Sequence, residues 1–178
     1  MQMRPAIQLQ AVIKALSEVV LPAIDADNKP AVEQAKLSIG LLSLLAEQLP
    51  VQFSFDCDEL ARLVATGRLL VESAAGGEAT QAAAAALDAA LADAAATLDG
   101  AGSGPAKVVS AVRQLREATG TLVTEAHADG TAEARAAIDR AVLAMSKDQL
   151  LRERALMRMQ GWEPDPKAIP PLAELLAG

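Results

Sequence analysis

Apolar residues recur along this chain at spacings of three and four, and the stretches where they do so are separated by proline and glycine. Ile13, Leu16, Val20 and Ile24 place one apolar face on a first helix that starts at Pro5, a residue suited to the first helical turn. Pro22 falls in its last turn, where a missing N–H and a clash with the carbonyl four residues back kink or end the helix. The segment "DADNKP" then has the chemistry of a turn followed by a helix start, and a second helix runs from Pro30 to just before Pro50.

That second helix contains the most apolar run of the chain, "KLSIGLLSLLAEQLP". Its uncharged part, residues 37–46, is ten residues long, well short of the ~20 needed to span a bilayer. Apolar residues at 37, 39, 41, 42, 44 and 45 surround this helix instead of striping it, a pattern that predicts a central, buried position in a bundle.

"VQFSFDCDEL" alternates Val51, Phe53 and Phe55 with polar residues and reads as an extended connection whose two rings plug the end of the bundle. Asp56 and Glu59 have capping-box spacing and open a third helix to about residue 75, closed by Gly76 and Gly77. A fourth helix, residues 79–98, is nearly poly-alanine with a docking line of Leu87, Leu91 and Leu98. After the glycine-rich linker 100–104, a fifth helix covers residues 105–125. A sixth covers 131–160, where a break near Lys147 predicts a bend or a change of packing partner. The chain then passes through a proline-rich strap, "GWEPDPKAIPPLAELLAG", with a short apolar helix at 171–176. The expected fold is therefore an all-α bundle of about six helices with a C-terminal proline-rich strap and a short terminal helix. It forms a single domain, 1–178, with possible sub-lobes 1–99 and 105–178 joined by the linker.

Composition sharpens this picture. Hydrophobic residues make up 52% of the chain, enough for a core, but aromatics only 2%: Phe53, Phe55 and Trp162. The core must be aliphatic and alanine-rich, which suits helices packed at short distance. A net charge of −7 and the scarcity of rings for base stacking speak against nucleic-acid binding. The charge is uneven: residues 51–100 hold eight acids against Arg62 and Arg68, and residues 107–158 hold nine bases against seven acids.

Candidate chemistry is sparse. His127 with Glu125 and Asp129 is the one grouping that resembles an acid–base cluster, and neither a nucleophile nor a substrate-orienting motif accompanies it. Its structural alternative is a histidine favourably placed at a helix C-terminus. One histidine and one cysteine cannot assemble a zinc site or a pair of Glu-x-x-His motifs, so no metal or other cofactor is expected. Cys57, flanked by Asp56 and Asp58, reads as an inert thiol, and "GAGSGPAK" lacks the Gly-Lys-Ser/Thr ending of a phosphate loop. The sixth helix carries Arg152, Arg154 and Arg158 among Met157 and Met159, and Trp162 follows on the proline-preset strap. Together these six make a candidate partner-binding surface.

The opening "MRPAIQLQAVIKALSEVVLPAIDADNKPAVEQAKLSIGLLSLLAEQL" resembles the start of small, uncharacterised bacterial all-helical proteins: an early Arg-Pro, a helix ending in Val-Leu-Pro-Ala, and a second apolar helix. The resemblance implies an accessory protein of the kind that accompanies metabolic enzymes such as acyl-CoA dehydrogenases or small-molecule phosphotransferases, and it carries no functional residue with it. The expected function is a non-catalytic interaction or accessory protein, with a protein partner or as a homo-oligomer. The alternatives are a carrier of a small apolar, acyl-type ligand and, third, an enzyme built on His127. With no secretory h-region after Arg4 and no transmembrane span, a cytoplasmic location is expected.

Overall fold

Pro5 occupies the first turn of α1 (Pro5–Ala15), and Arg4 before it is extended, as the residue preceding a proline prefers. A computed structural model describes residues 4–100, 102–161 and 163–176, with Met159 described by its backbone alone. The first helix widens into a π-helical turn, Leu16–Val20, closed by the Leu21 N–H on the Leu16 carbonyl, and resumes as α2 (Leu21–Ala23), which ends one residue after Pro22. The wider turn lies directly upstream of Pro22, where a regular helix would drive the ring into the carbonyl of Glu18. Ile24 is extended and ends the run. α3 (Lys29–Gln48) starts from Asn28, whose side chain accepts a hydrogen bond from the Ala31 N–H at 3.3 Å.

The remaining elements are α4 (Gln52–Ser73), α5 (Glu78–Asp99), α6 (Pro105–Asp129), α7 (Ala132–Leu156), two 3₁₀ turns at Arg158–Gln160 and Pro166–Ala168, and α8 (Leu172–Leu175). Counting the first run as one rod, seven helices and no strand make up 84% of the described residues, an all-α bundle as the periodicity predicts. Helix α7 runs through Lys147 without a break in the helix. The extended connection at 51–55 is also overturned, because α4 begins at Gln52 and Asp56 lies inside it instead of capping it. Phe55 belongs to the helical stripe Phe55, Glu59, Leu63, Gly67, Leu70, and a three-residue alternation is too short to tell from one edge of such a stripe.

The chain divides into two compact units, Met1–Gln52 with Arg154–Leu172, and Phe53–Glu153 with Ala173–Gly178. This division differs from the sub-lobes expected on either side of 100–104, which lies within the second unit. The linker there joins α5 to α6, and these two helices pack closely on each other.

In the second unit α4, α5, α6 and α7 share one aliphatic core. It is led by Leu60 and Leu70 from α4, Leu87 from α5, Leu115 and Leu122 from α6, and Ile138 from α7. Ala83, Ala84 and Ala94 line the buried face of α5 and let its neighbours approach. Gly67 serves the same purpose on α4: a Cβ there would stand 2.6 Å from Cδ2 of Leu91. At one end, the α4–α5 and α6–α7 connections pair through an antiparallel bridge between Gly76 and Gly130. The Gly77 N–H donates to the Asp129 carbonyl at 3.0 Å and the Thr131 N–H to the Ala75 carbonyl at 2.9 Å.

In the first unit α1 and α2 pack along α3, and the 3₁₀ turn Arg158–Gln160 also touches α3. Gly161 follows that turn at φ 69°, the left-handed conformation glycine tolerates best. The expectation that the second helix lies buried at the centre is overturned. Leu44 alone is buried on α3, while Leu37 and Leu41 are 57% exposed, Leu45 52% and Leu49 48%. The apolar run requires cover, but within its unit α3 receives it along part of its circumference only.

Candidate functional site

Helix α4 presents Asp58, Glu59 and Arg62 within one turn, and α7 presents Asp148, Gln149, Arg152 and Glu153 within little more than one. Side chains three and four apart share a helix face, so the two sets form facing ion-pair rows. Arg62 Nε donates to Asp58 at 2.8 Å, its Nη1 to Asp148 at 3.3 Å and its Nη2 to Gln149 at 2.8 Å. Arg152 Nε reaches Asp58 at 3.1 Å, its Nη1 Asp148 at 2.5 Å and its Nη2 the Leu175 carbonyl at 3.0 Å. Two guanidinium groups and two carboxylates thus neutralise one another.

Beside this network a cavity of about 380 Å³ opens between α4, α6 and α7. Leu63, Met145 and Leu150 supply its apolar wall, and Glu59, Arg62, Arg116 and Glu153 its charged groups. Glu59 is only 7% exposed. Arg116 Nη2 stands 2.5 Å from its Oε1 and 3.8 Å from Glu153. The approach to Glu59 is close enough for an ion pair but lies off the hydrogen-bond direction, and Oε1 has no hydrogen-bond partner. Burial pushes the Glu59 carboxyl above its ordinary value, against the opposing pull of Arg116 and then Arg62.

The first unit holds a different feature. A groove of about 510 Å³ runs between α1 and α3, lined by Leu9, Val12, Leu42, Leu45 and Leu49, with glutamines its only polar side chains. Ile7, Val19 and Val20 are exposed on the same unit.

The structure separates the three residues of the expected acid–base cluster. His127 Nε2 lies 3.0 Å from Asp139 on α7, an exposed pair. Asp129 faces the other way and caps α5, accepting from the N–H groups of Ala79 and Thr80 at 3.0 Å each and from the Thr80 hydroxyl. Glu125 contributes its backbone carbonyl to that hydroxyl at 3.2 Å. Each residue of a helix is rotated by about 100° from the one before, so His127, two positions from either acid, lies on the opposite side of α6 from Glu125 and Asp129. Cys57 is half-buried, its thiol pushed up by burial and by Asp56, which suits the inert reading.

Two arginines of the expected partner surface have partners within the chain. Arg152 is 11% exposed at its side chain and spent on internal partners. Arg154 binds Glu163 through Nε at 2.9 Å and Nη2 at 2.5 Å, which raises Arg154 and lowers Glu163 from their ordinary values. Met157 accepts a hydrogen bond from Gln48 at 3.3 Å. Arg158 stays exposed, and Trp162 and the Met159 side chain lie outside the described residues. The fork of an arginine finds carboxylates of its own chain as readily as a partner's, and spacing along α7 does not distinguish the two.

Sequence reasoning passed over Glu59, reading it as a capping-box residue. Its place on the buried stripe of α4 was the signal available. Among the described residues no group of three or more His, Cys, Asp or Glu side chains is placed to hold a metal ion. No protein-family model, curated protein or solved structure matches the chain.

Proposed function

We propose that this is a non-catalytic helical interaction protein that acts through protein–protein contacts, and that the apolar face of α3 with the α1–α3 groove binds a second copy of the chain. The observation that carries this reading is the row Leu37, Leu41, Leu45 and Leu49, all about half exposed. A row at four-residue spacing is a ridge, and such ridges pack into the grooves of another helix. The α1–α3 groove beside the row offers a complementary, uncharged slot. Charge supports a second copy as occupant: the first unit holds seven bases and seven acids, so the whole −7 belongs to the other unit and two such faces meet without net repulsion.

A lipid surface is the competing occupant. The run Pro5–Ala23 has the length and mean hydropathy, 1.3, of a membrane-crossing helix, a test that signal sequences and core helices pass as well. Lys14, Glu18 and Pro22 interrupt that run, whereas Leu37, Leu41, Leu45 and Leu49 form an exposed row with no charge among them. Sedimentation equilibrium of the full chain tests the proposal. A dimer is expected, and Leu41→Glu with Leu45→Glu should give a monomer of unchanged helicity. A wild-type monomer at every concentration overturns the reading, as does binding to phosphatidylcholine vesicles that the two glutamates abolish.

A further inference from the structure

The leucine row of α3 and the groove beside it are offset along the helix. Leu37 and Leu41, at the N-terminal end of the row, are each 57% exposed and take no part in the groove. Leu45 and Leu49, at the C-terminal end, help to form one wall of it, and Leu9 and Val12 of α1 form the other. The two helices run antiparallel there, since the start of α1 lies against the end of α3. Each copy therefore carries an exposed ridge and, about two turns further along, an open slot. Both are uncharged: the polar side chains of the slot are Gln8, Gln48 and Gln52, so no charge has to leave water when leucines enter.

We infer that the two copies meet with their α3 helices antiparallel, Leu37 and Leu41 of each copy seated in the α1–α3 groove of the other, an arrangement that rests on the self-association proposed above. A two-fold interface uses one patch twice, so every contact from ridge to groove recurs from groove to ridge. A parallel pair in register sets ridge against ridge and groove against groove, and leaves both slots unfilled. Reversing one helix about the midpoint of the row, between Leu41 and Leu45, brings Leu41 opposite Leu45 and Leu37 opposite Leu49 of the second copy. Both slots then receive a ridge, as packing of one helix surface into another requires. Like positions are far apart in this pairing: the two copies of Leu37 are separated along the axis by about 18 Å, twelve residues of helix rise.

Sedimentation equilibrium of full-length charge variants reads direction separately from association. Leu37→Lys and Leu49→Glu, both at half-exposed positions, should each weaken the dimer at least about tenfold alone, because each sets a charge against leucines of the other copy. An equimolar mixture of the two should recover most of that loss, the introduced ammonium of one copy meeting the introduced carboxylate of the other. Leu37→Lys mixed with Leu37→Glu should stay as weak as either alone. Recovery in that second mixture means a parallel pair, and recovery in neither means that the row does not meet the groove. Either result overturns the inference while the wild-type dimer stands, whereas a wild-type monomer at every concentration removes the self-association reading and this inference with it. If a variant loses helicity, the unmodified chain decides. In a dimer assembled from isotope-labelled and unlabelled copies, methyl contacts are expected from Leu37 of one copy to Val12 of the other. Contacts of Leu37 with its own counterpart, or none with Val12, overturn the pairing.

Discussion

Asp129 caps the helix that Thr80 opens, although the two residues stand 49 positions apart in the chain. Gly77, the local N-cap of α5, has no side chain to satisfy the first N–H groups, and the Asp129 carboxylate at the end of α6 takes them instead. The clasp therefore binds the two interhelical connections of the four-helix core to each other.

Thr80→Val retains the side-chain volume and removes the hydroxyl bonds to Asp129 and the Glu125 carbonyl. Because Thr80 is fully buried, the unfolding free energy from urea denaturation should fall by about 1–3 kcal/mol. A value within error of wild type would show that the hydroxyl bonds contribute nothing.

Asp129 also predicts an acid limb. The hydrogen bond from Thr80 holds its carboxyl below the ordinary aspartate value in the folded state. Its contribution is therefore present above the unfolded value and lost as pH falls through the depressed folded value. Asp129→Asn should melt lower than wild type at neutral pH, and the gap should close as the pH falls below that value.

Glu59 predicts the opposite sign. Its folded-state carboxyl is raised, so the folded state binds the proton more tightly, and stability declines as pH rises from the ordinary glutamate value through the raised one. Glu59→Gln should consequently be more stable than wild type at neutral pH and equal to it in acid. A variant less stable at neutral pH would mean that the Arg116 ion pair outweighs the burial cost.

Two glycines should respond differently to alanine. A Cβ at Gly76 would stand 2.5 Å from the Gly130 Cα, backbone against backbone, whereas one at Gly67 meets the end of the Leu91 side chain. Gly76→Ala should cost about 2–3 kcal/mol. Gly67→Ala should cost about 1 kcal/mol or less, since Leu91 can rotate away and a mid-helix alanine recovers part of the loss. Equal melting temperatures for the two variants would contradict this.

Arg152→Ala removes one cation from a network in which Asp58 is shielded from water and Asp148 is half exposed. The expected loss is about 3 kcal/mol, and adding Asp58→Asn should cost less than the two changes summed, because both remove the same Arg152–Asp58 bond. Strict additivity would dissolve the network into independent contacts.

Helix positions were largely legible in the sequence, because Pro5, Asn28 with Pro30, the Gly76–Gly77 pair and Pro105 mark starts and stops through local backbone chemistry alone. The all-α class, the leucine line of α5 and the aliphatic core follow from periodicity and from alanine, which act over a few residues. Three things depended on tertiary structure. Whether the leucines of α3 would be covered depended on how many other helices reach it, and the chain supplies cover on one side only. Whether Arg152 faces outward depended on Asp58, 94 residues away. Glu59 became a buried carboxylate facing Arg116 only when α4, α6 and α7 enclosed it. Local chemistry decides which helix a residue belongs to, while burial and charge pairing depend on what the other helices bring beside it.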